Sequence, residues 1–212
     1  MFDLDGVLID SELLWDEARR TVAAEFGGHW ADEATAAMQG MSSAEWSSYM
    51  RDRLGVELPA PQINRRVVER LLDRYRQHLP LLPGAVEAVH RIGARWTLGL
   101  ASSANRVVLD AVLDLAYLAR SFRITVSSEE VSRGKPAPDV YLEAARRLAV
   151  DPRACAAVED STNGILSAEA AGLRVIAVPN DRYPPSQDLL KRMPVVLRSL
   201  NELTVRLVNS LE

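Results

Sequence analysis

The sequence predicts an α/β fold in which a parallel sheet lies buried between helices, and three observations carry that expectation. Short apolar runs each end in a polar residue, helical stretches separate the runs, and within the runs apolar and polar residues do not alternate. Strands without alternation are covered on both faces, and strands joined through helices run parallel.

Four runs read as strands: residues 97–101 ending at Ser102, residues 122–126, residues 154–158 ending at Glu159-Asp160, and residues 174–178 closed by Pro179. Residues 83–94, 105–118, 137–149 and 163–171 carry apolar positions at helical spacing. The stretch from Glu12 to Pro80 breaks this rhythm. It offers amphipathic helices only, over 13–26, 31–38, 43–54 and 61–78, punctuated by Gly27-Gly28, Gly40 and Leu58-Pro59-Ala60-Pro61. It reads as an all-helical domain, residues 12–81, inserted after the first strand of a core made of residues 1–11 and 82–212. That first strand is short: only Met1 and Phe2 precede the acidic cluster, where a central strand usually has about five residues. The natural chain is therefore expected to begin several apolar residues upstream.

Among 212 residues, 48% are hydrophobic and 25% charged, the balance of an ordinary globular protein. The net charge of -4 argues against nucleic acid or an anionic membrane as the main partner, though not against a small anionic substrate. Cys155 is the only cysteine, which rules out an internal disulfide and a cysteine-built zinc site and fits a reducing compartment. No run approaches the length of a membrane span and no signal peptide precedes the acidic cluster, so a cytoplasmic protein is expected. No interface stripe stands out; the oligomeric state stays open, with a monomer compatible.

The chemistry concentrates in Asp3-Leu4-Asp5-Gly6-Val7-Leu8-Ile9-Asp10-Ser11. Residues two apart in an extended segment point to one side, so Asp3 and Asp5 can converge past the strand end, and Gly6 permits a tight turn. Two adjacent carboxylates repel, and a divalent cation removes that cost; magnesium suits a site of one or two carboxylates, waters and a phosphate oxygen. Two acids and a glycine fit a solvated strand-end turn equally well. Ser102 can hydrogen-bond a phosphoryl oxygen or cap a helix. Lys135, in Gly134-Lys135-Pro136, can serve a site or face solvent. Glu159-Asp160 supplies two further carboxylates. Open α/β sheets bind ligands outside the carboxyl ends of their strands, and all four elements belong at that edge.

In order along the chain, Asp3-Leu4-Asp5-Gly6-Val7, Ser102, Lys135 and Glu159-Asp160 resemble the four motifs of the haloacid dehalogenase superfamily, and the helical insertion resembles its small cap domain. Leu8-Ile9-Asp10-Ser11-Glu12 with Leu14-Trp15-Asp16, Pro80-Leu81-Leu82-Pro83-Gly84 and Gly99-Leu100-Ala101-Ser102-Ser103 are similar to the sugar-phosphate phosphatases within it. The resemblance implies a Rossmann-like, doubly wound sheet under a helical cap, and hydrolysis of a small phosphorylated metabolite, a sugar or polyol phosphate. It implies Asp3 as nucleophile, forming an aspartyl-phosphate, and Asp5 as general acid and base. Mg2+ would be held by Asp3, the Asp5 carbonyl and Asp160, with Glu159 binding directly or through water. Ser102, Ser103, Lys135 and backbone amides would cradle the phosphate. Asp10-Ser11 and residues 79–82 are the expected hinges, and Glu12, Trp15, Gln39, Gly40, Met41, Ser42 and Ser43 the cap residues that could face substrate.

Three other readings compete. A phosphosugar mutase of the β-phosphoglucomutase type calls for an arginine after the cap Gly-x-Ser, where this chain has Ser43 after Gly40-Met41-Ser42, and for a histidine where it has Trp15. A haloacid dehalogenase dispenses with magnesium and with Asp5. A non-catalytic binding module on a relict scaffold would have lost at least one of Asp3, Asp5, Lys135 or Asp160, and all four are present.

Overall fold

A computed structural model describes residues 1–38, 41–180 and 182–211. In chain order its elements are α1 (Glu12–Glu25), α2 (Ala34–Met38), α3 (Ser43–Asp52), α4 (Ala60–Gln77), α5 (Ala85–Gly93), β1 (Gly99–Ser102), α6 (Arg106–Leu115), β2 (Ile124–Ser127), α7 (Asp139–Leu148), β3 (Ala156–Glu159), α8 (Thr162–Ala170), β4 (Arg174–Ala177), α9 (Gln187–Leu190), β5 (Val195–Val196) and α10 (Val205–Asn209).

The strands pair parallel, β1 with β2, β3 with β4, and β4 with β5. Phe2 joins the two groups by bridging Leu100 on one side and Val158 on the other. Its amide donates to Gly99 O at 2.9 Å, and the Asp3 amide donates to Val158 O at 3.0 Å. The resulting order is β2, β1, N-terminal segment, β3, β4, β5. The first strand thus contributes a single bridged residue at the centre of the sheet. Every residue of β1 is buried, as its lack of alternation requires. Packing of α7 on β1 and β2, and of α8 on β3 and β4, covers the sheet. The fold is α/β with a helical cap.

The cap helices form their own layer. α4 carries the apolar stripe Ile63, Val67, Val68, Leu71, Leu72 and Tyr75, and it packs along α1 and α3. Burying such a stripe removes several large side chains from water, each worth about 1.5–3 kcal/mol, and α4 is too polar on its other face to stand alone. The two crossings between cap and core run side by side, with the Asp10 amide donating to Pro80 O at 2.8 Å and the Leu82 amide to Leu8 O at 2.9 Å.

The structure departs from the expected elements at the C-terminus. β5, α9 and α10 have two, four and five residues, too few to show a period in sequence. None of the described helices is long and apolar enough to cross a membrane.

Candidate active site

Strand direction brings the acidic residues together. Asp3 follows the bridged Phe2, Glu159 ends β3, and Asp160 comes next, so all three leave the sheet at the carboxyl edge. One oxygen from each carboxylate lies within 4.8 Å of the others. Lys135 reaches this group from the loop before α7. Its Nζ donates to Asp3 Oδ1 at 2.7 Å, to Glu159 Oε1 at 2.6 Å and to the Ala101 carbonyl at 3.1 Å. Tyr141 of α7 donates its hydroxyl to the same Glu159 oxygen at 2.6 Å. The Lys135 side chain is 3% exposed and that of Glu159 0%, so these charges are desolvated and bonded rather than wet.

Two glycines let the backbone come this close. Gly6 has φ +77°, and a Cβ there would lie 1.9 Å from Asp160 Oδ2; a Cβ on Gly164 would lie 1.9 Å from Glu159 Oε2. Side chains at either position would displace the carboxylates.

The electrostatics are unbalanced. Burial raises the Asp3 carboxyl to about 8, with Lys135 pulling down against it and Glu159 and Asp5 pushing further up. Burial also puts Asp160 well above the usual carboxylate range, with Glu159 and Asp3 adding to the effect. Lys135 feels burial in the opposite sense, but the carboxylates of Asp3 and Glu159 outweigh it and hold the ammonium above its ordinary value. With all three carboxyl groups ionised, one ammonium would leave an excess of negative charge that a further cation could offset. Asp160 Oδ1 moreover has no hydrogen-bond partner, although it is buried. A buried acceptor without a donor, inside an all-oxygen group, fits a hard divalent cation.

Asp5 stands apart from that group. Its Oδ1 accepts from Ser11 Oγ at 2.5 Å and from Trp15 Nε1 at 3.1 Å, so its side chain is turned toward the first crossing and α1. Both donors take one oxygen, which leaves Oδ2 for a proton. Its carboxylate is not part of the group formed by Asp3, Glu159 and Asp160.

A small cavity opens between core and cap over these residues. The core side presents Asp3, Asp5, Lys135, Asp160 and Ser103; the cap side presents Glu12, Trp15, Arg19, Met41 and Trp46. The cap sits closed, with the Asn105 amide donating to Asn64 Oδ1 at 3.2 Å and Ser43 Oγ to Glu129 Oε1 at 3.2 Å.

Some expected residues fall elsewhere. Ser102 is fully buried, and its hydroxyl accepts from the Ala104 amide at 3.0 Å; Ser103 lines the cavity instead, with an unpartnered buried Oγ. Ser42 does not line this cavity. It heads α3, donating from its amide and hydroxyl to Glu45 Oε2 at 2.8 and 2.6 Å. Ser43 is buried in the contact with Glu129 just given. Glu159 lies beneath the cavity, bonded to Lys135 and Tyr141, rather than on its wall. Gln39 and Gly40 lie outside the described residues.

Arg19, Trp46 and Tyr141 were not legible as site residues in the sequence. Arg19 follows Glu12 and Trp15 at helical spacing on one face of α1, a signal that could have found it. Ser42-x-x-Glu45 is likewise a capping-box pattern that could have moved Ser42 out of the site.

A family model described as haloacid dehalogenase-like hydrolase matches residues 1–178. Hexitol phosphatase B of Escherichia coli (strain K12) is 36% identical over 225 residues, covering 97% of this chain and 94% of the relative. A phosphorylated carbohydrates phosphatase of Thermotoga maritima is 32% identical, covering 83% and 82%. The crystal structure of CbbY from Rhodobacter sphaeroides in complex with phosphate superposes with a TM-score of 0.86 at 25% identity, covering 98% of this chain and 97% of that one. Edge-of-sheet carboxylates, a buried lysine and a closed helical cap thus coincide with agreement along nearly the whole chain: this chain belongs to the haloacid dehalogenase-like hydrolase family.

Proposed function

We propose that the chain is a magnesium-dependent phosphatase that hydrolyses a small sugar or polyol phosphate through an aspartyl-phosphate on Asp3. The observation that carries this reading is Asp3 itself, a cavity-lining carboxylate bonded to buried Lys135 beside two further buried carboxylates. The relatives named for hexitols and phosphorylated carbohydrates supply the substrate class.

Asp3, Asp160 and Glu159, with the Asp5 carbonyl, would hold the cation. When bound it offsets the repulsion between the Asp3 carboxylate and the phosphate dianion. The remaining steps belong to the chain. Asp3 attacks phosphorus in line, the bond to the leaving oxygen breaks, and Asp5 gives its proton to that oxygen. Asp5 then takes a proton from water as the water attacks the aspartyl-phosphate, which releases phosphate and restores Asp3. Lys135 neutralises charge on Asp3 and the transferring group, while Ser103 and backbone amides after Asp3 receive the phosphoryl oxygens. Ser102 serves by shaping the loop that presents Ser103. Residues 12–81 act as the cap domain over the core of 1–11 and 82–212, excluding water and reading the leaving group.

The test is phosphate release from a panel of sugar, polyol, glycolate and nucleotide monophosphates, with Mg2+ and with a chelator. Turnover is expected on sugar or polyol phosphates and only with the cation. Asp3→Asn is expected to abolish it while keeping a cooperative melt. A variant that retains more than a few per cent of the rate would overturn the nucleophile assignment.

A further inference from the structure

Arg19 faces the cavity, and the proposed reaction leaves its polar end unused. It is 7% exposed, and its Nε has no hydrogen-bond partner. Glu12, Asp5 and Asp16 act on it through space. Its guanidinium carbon lies 5.0 Å from the Trp15 ring centre and 5.1 Å from that of Trp46, and the two rings meet edge to face at 6.0 Å. Stacking on two indoles offsets part of the cost of burying the charge, but it satisfies none of the N–H donors in the guanidinium plane. Trp15 fixes the position of that plane relative to the chemistry, because its indole N–H holds Asp5. Donors displayed from the cap beside the acid–base carboxylate face the leaving group rather than the phosphate.

The charges around Arg19 select what those donors meet. Asp5 and Glu12 line the same cavity, so an anionic tail would meet two carboxyl groups there. A hydroxylated chain offers lone pairs to Arg19 and O–H groups to Glu12 and avoids the conflict.

We propose that Arg19 determines leaving-group specificity: its guanidinium donates hydrogen bonds to hydroxyls at the end of the substrate remote from phosphorus, with Glu12 as the facing acceptor. The inference rests on the phosphatase reading above and adds the residue that enforces it. The competing role for Arg19 is mortar between α1 and α3, which its aliphatic stem and ring contacts alone would serve.

Three esters of equal chain length separate these roles: glucitol 6-phosphate, n-hexyl phosphate and 6-phosphogluconate. Wild-type enzyme is expected to prefer glucitol 6-phosphate over n-hexyl phosphate by about tenfold or more in kcat/KM, and over 6-phosphogluconate as well. Arg19→Met keeps the stem and removes the donors; the preference over n-hexyl phosphate is expected to shrink to about threefold or less in kcat/KM, through both kcat and KM. A uniform loss on all three esters, with the preference intact, is what a mortar role gives and would overturn the proposal. So would a wild-type preference for n-hexyl phosphate or 6-phosphogluconate. Should the methionine variant lack a cooperative melt, Arg19→Lys keeps charge and ring contact but loses the planar fork, and an undiminished preference there overturns the proposal too. Wild-type enzyme that releases phosphate from none of the three defeats the phosphatase reading itself, whereas a preference that survives both variants defeats only the role of Arg19.

Discussion

Removing the Lys135 ammonium is the perturbation whose cost the structure specifies best. In Lys135→Met the stem still fills its channel, but Asp3 Oδ1 and Glu159 Oε1 lose a donor at 2.7 and 2.6 Å. Those two side chains are 8% and 0% exposed, so water cannot replace what is lost. Deleting one partner of a buried ion pair costs about 3–5 kcal/mol. For a chain of this size each kcal/mol lowers Tm by about 2–4 °C, so in chelator the variant should melt about 6–20 °C below wild type. Glu159 keeps Tyr141 as a donor, which sets the outcome toward the lower half of that range. A divalent cation that binds the same carboxylates should stabilise the variant by about 2.7 kcal/mol when present at a hundredfold its Kd, and so raise its Tm. Paired circular-dichroism melts of both proteins, in EDTA and in millimolar Mg2+, measure both effects. A Tm within about 3 °C of wild type in EDTA would refute the reasoning, because it would mean that the carboxylates do not depend on this ammonium.

Two further outcomes follow from the geometry. Gly6→Ala would place a Cβ 1.9 Å from Asp160 Oδ2 on a backbone at φ +77°, so Asp160 must move; the expected result is a loss of about 1–3 kcal/mol in stability and at least tenfold weaker activation by Mg2+ in a titration, and a wild-type activation curve would contradict the close approach. Burial, against the pull of Arg19 and with Asp5, Asp10 and Asp16 adding to it, raises the Glu12 carboxyl to about 7 from 4.5. The folded chain then holds a proton that the unfolded chain releases between about pH 4.5 and 7, so Glu12 lowers stability progressively as pH rises through that window. The shift corresponds to at most about 3 kcal/mol. Glu12→Gln should therefore melt higher than wild type at pH 8 and match it at pH 4; equal Tm differences at both pH values would show that Glu12 ionises normally.

Much of the site was legible because strand ends are. Asp3, Ser102 and Glu159 each terminate an apolar run, and a parallel sheet carries every such terminus to one edge, which is why residues more than 150 apart in sequence could be assembled on paper. The choice between Ser102 and Ser103 was not legible. Consecutive residues at a strand end point to opposite sides, and the run of apolar residues ahead of them does not reveal where the pleat ends and the loop begins. Ser42 was expected among the cap residues that could face substrate on the strength of the family resemblance, but its hydroxyl is taken up by Glu45. For Arg19 the spacing with Glu12 and Trp15 was there to read, but its burial was not. On one helix it is merely a charged residue beside a tryptophan; its burial depends on Trp46, which arrives from α3. Nonlocal pairs of that kind leave no period in the chain.

The placement of Asp5 separates what the core can do from what the closed cap adds. Asp3, Lys135, Glu159 and Asp160 are all held by the sheet, its loops and α7, and none of their hydrogen bonds named above reaches a cap side chain. Asp5 is the exception, since its carboxylate is fixed by Ser11 at the crossing and by Trp15 on α1. A cap that swung away about the paired crossings would carry the Trp15 donor with it and leave the phosphate end of the site intact. In the proposed reaction the two proton transfers therefore depend on closure, while capture of the phosphate does not. The same indole that orients Asp5 also stacks on Arg19, so the groups proposed to recognise the leaving alcohol and to protonate it are positioned by one side chain. On that proposal, a substrate that failed to settle Arg19 would disturb Trp15 and, through its indole N–H, Asp5. Recognition would then enter kcat as well as KM, in proportion to how firmly the two indoles hold their places.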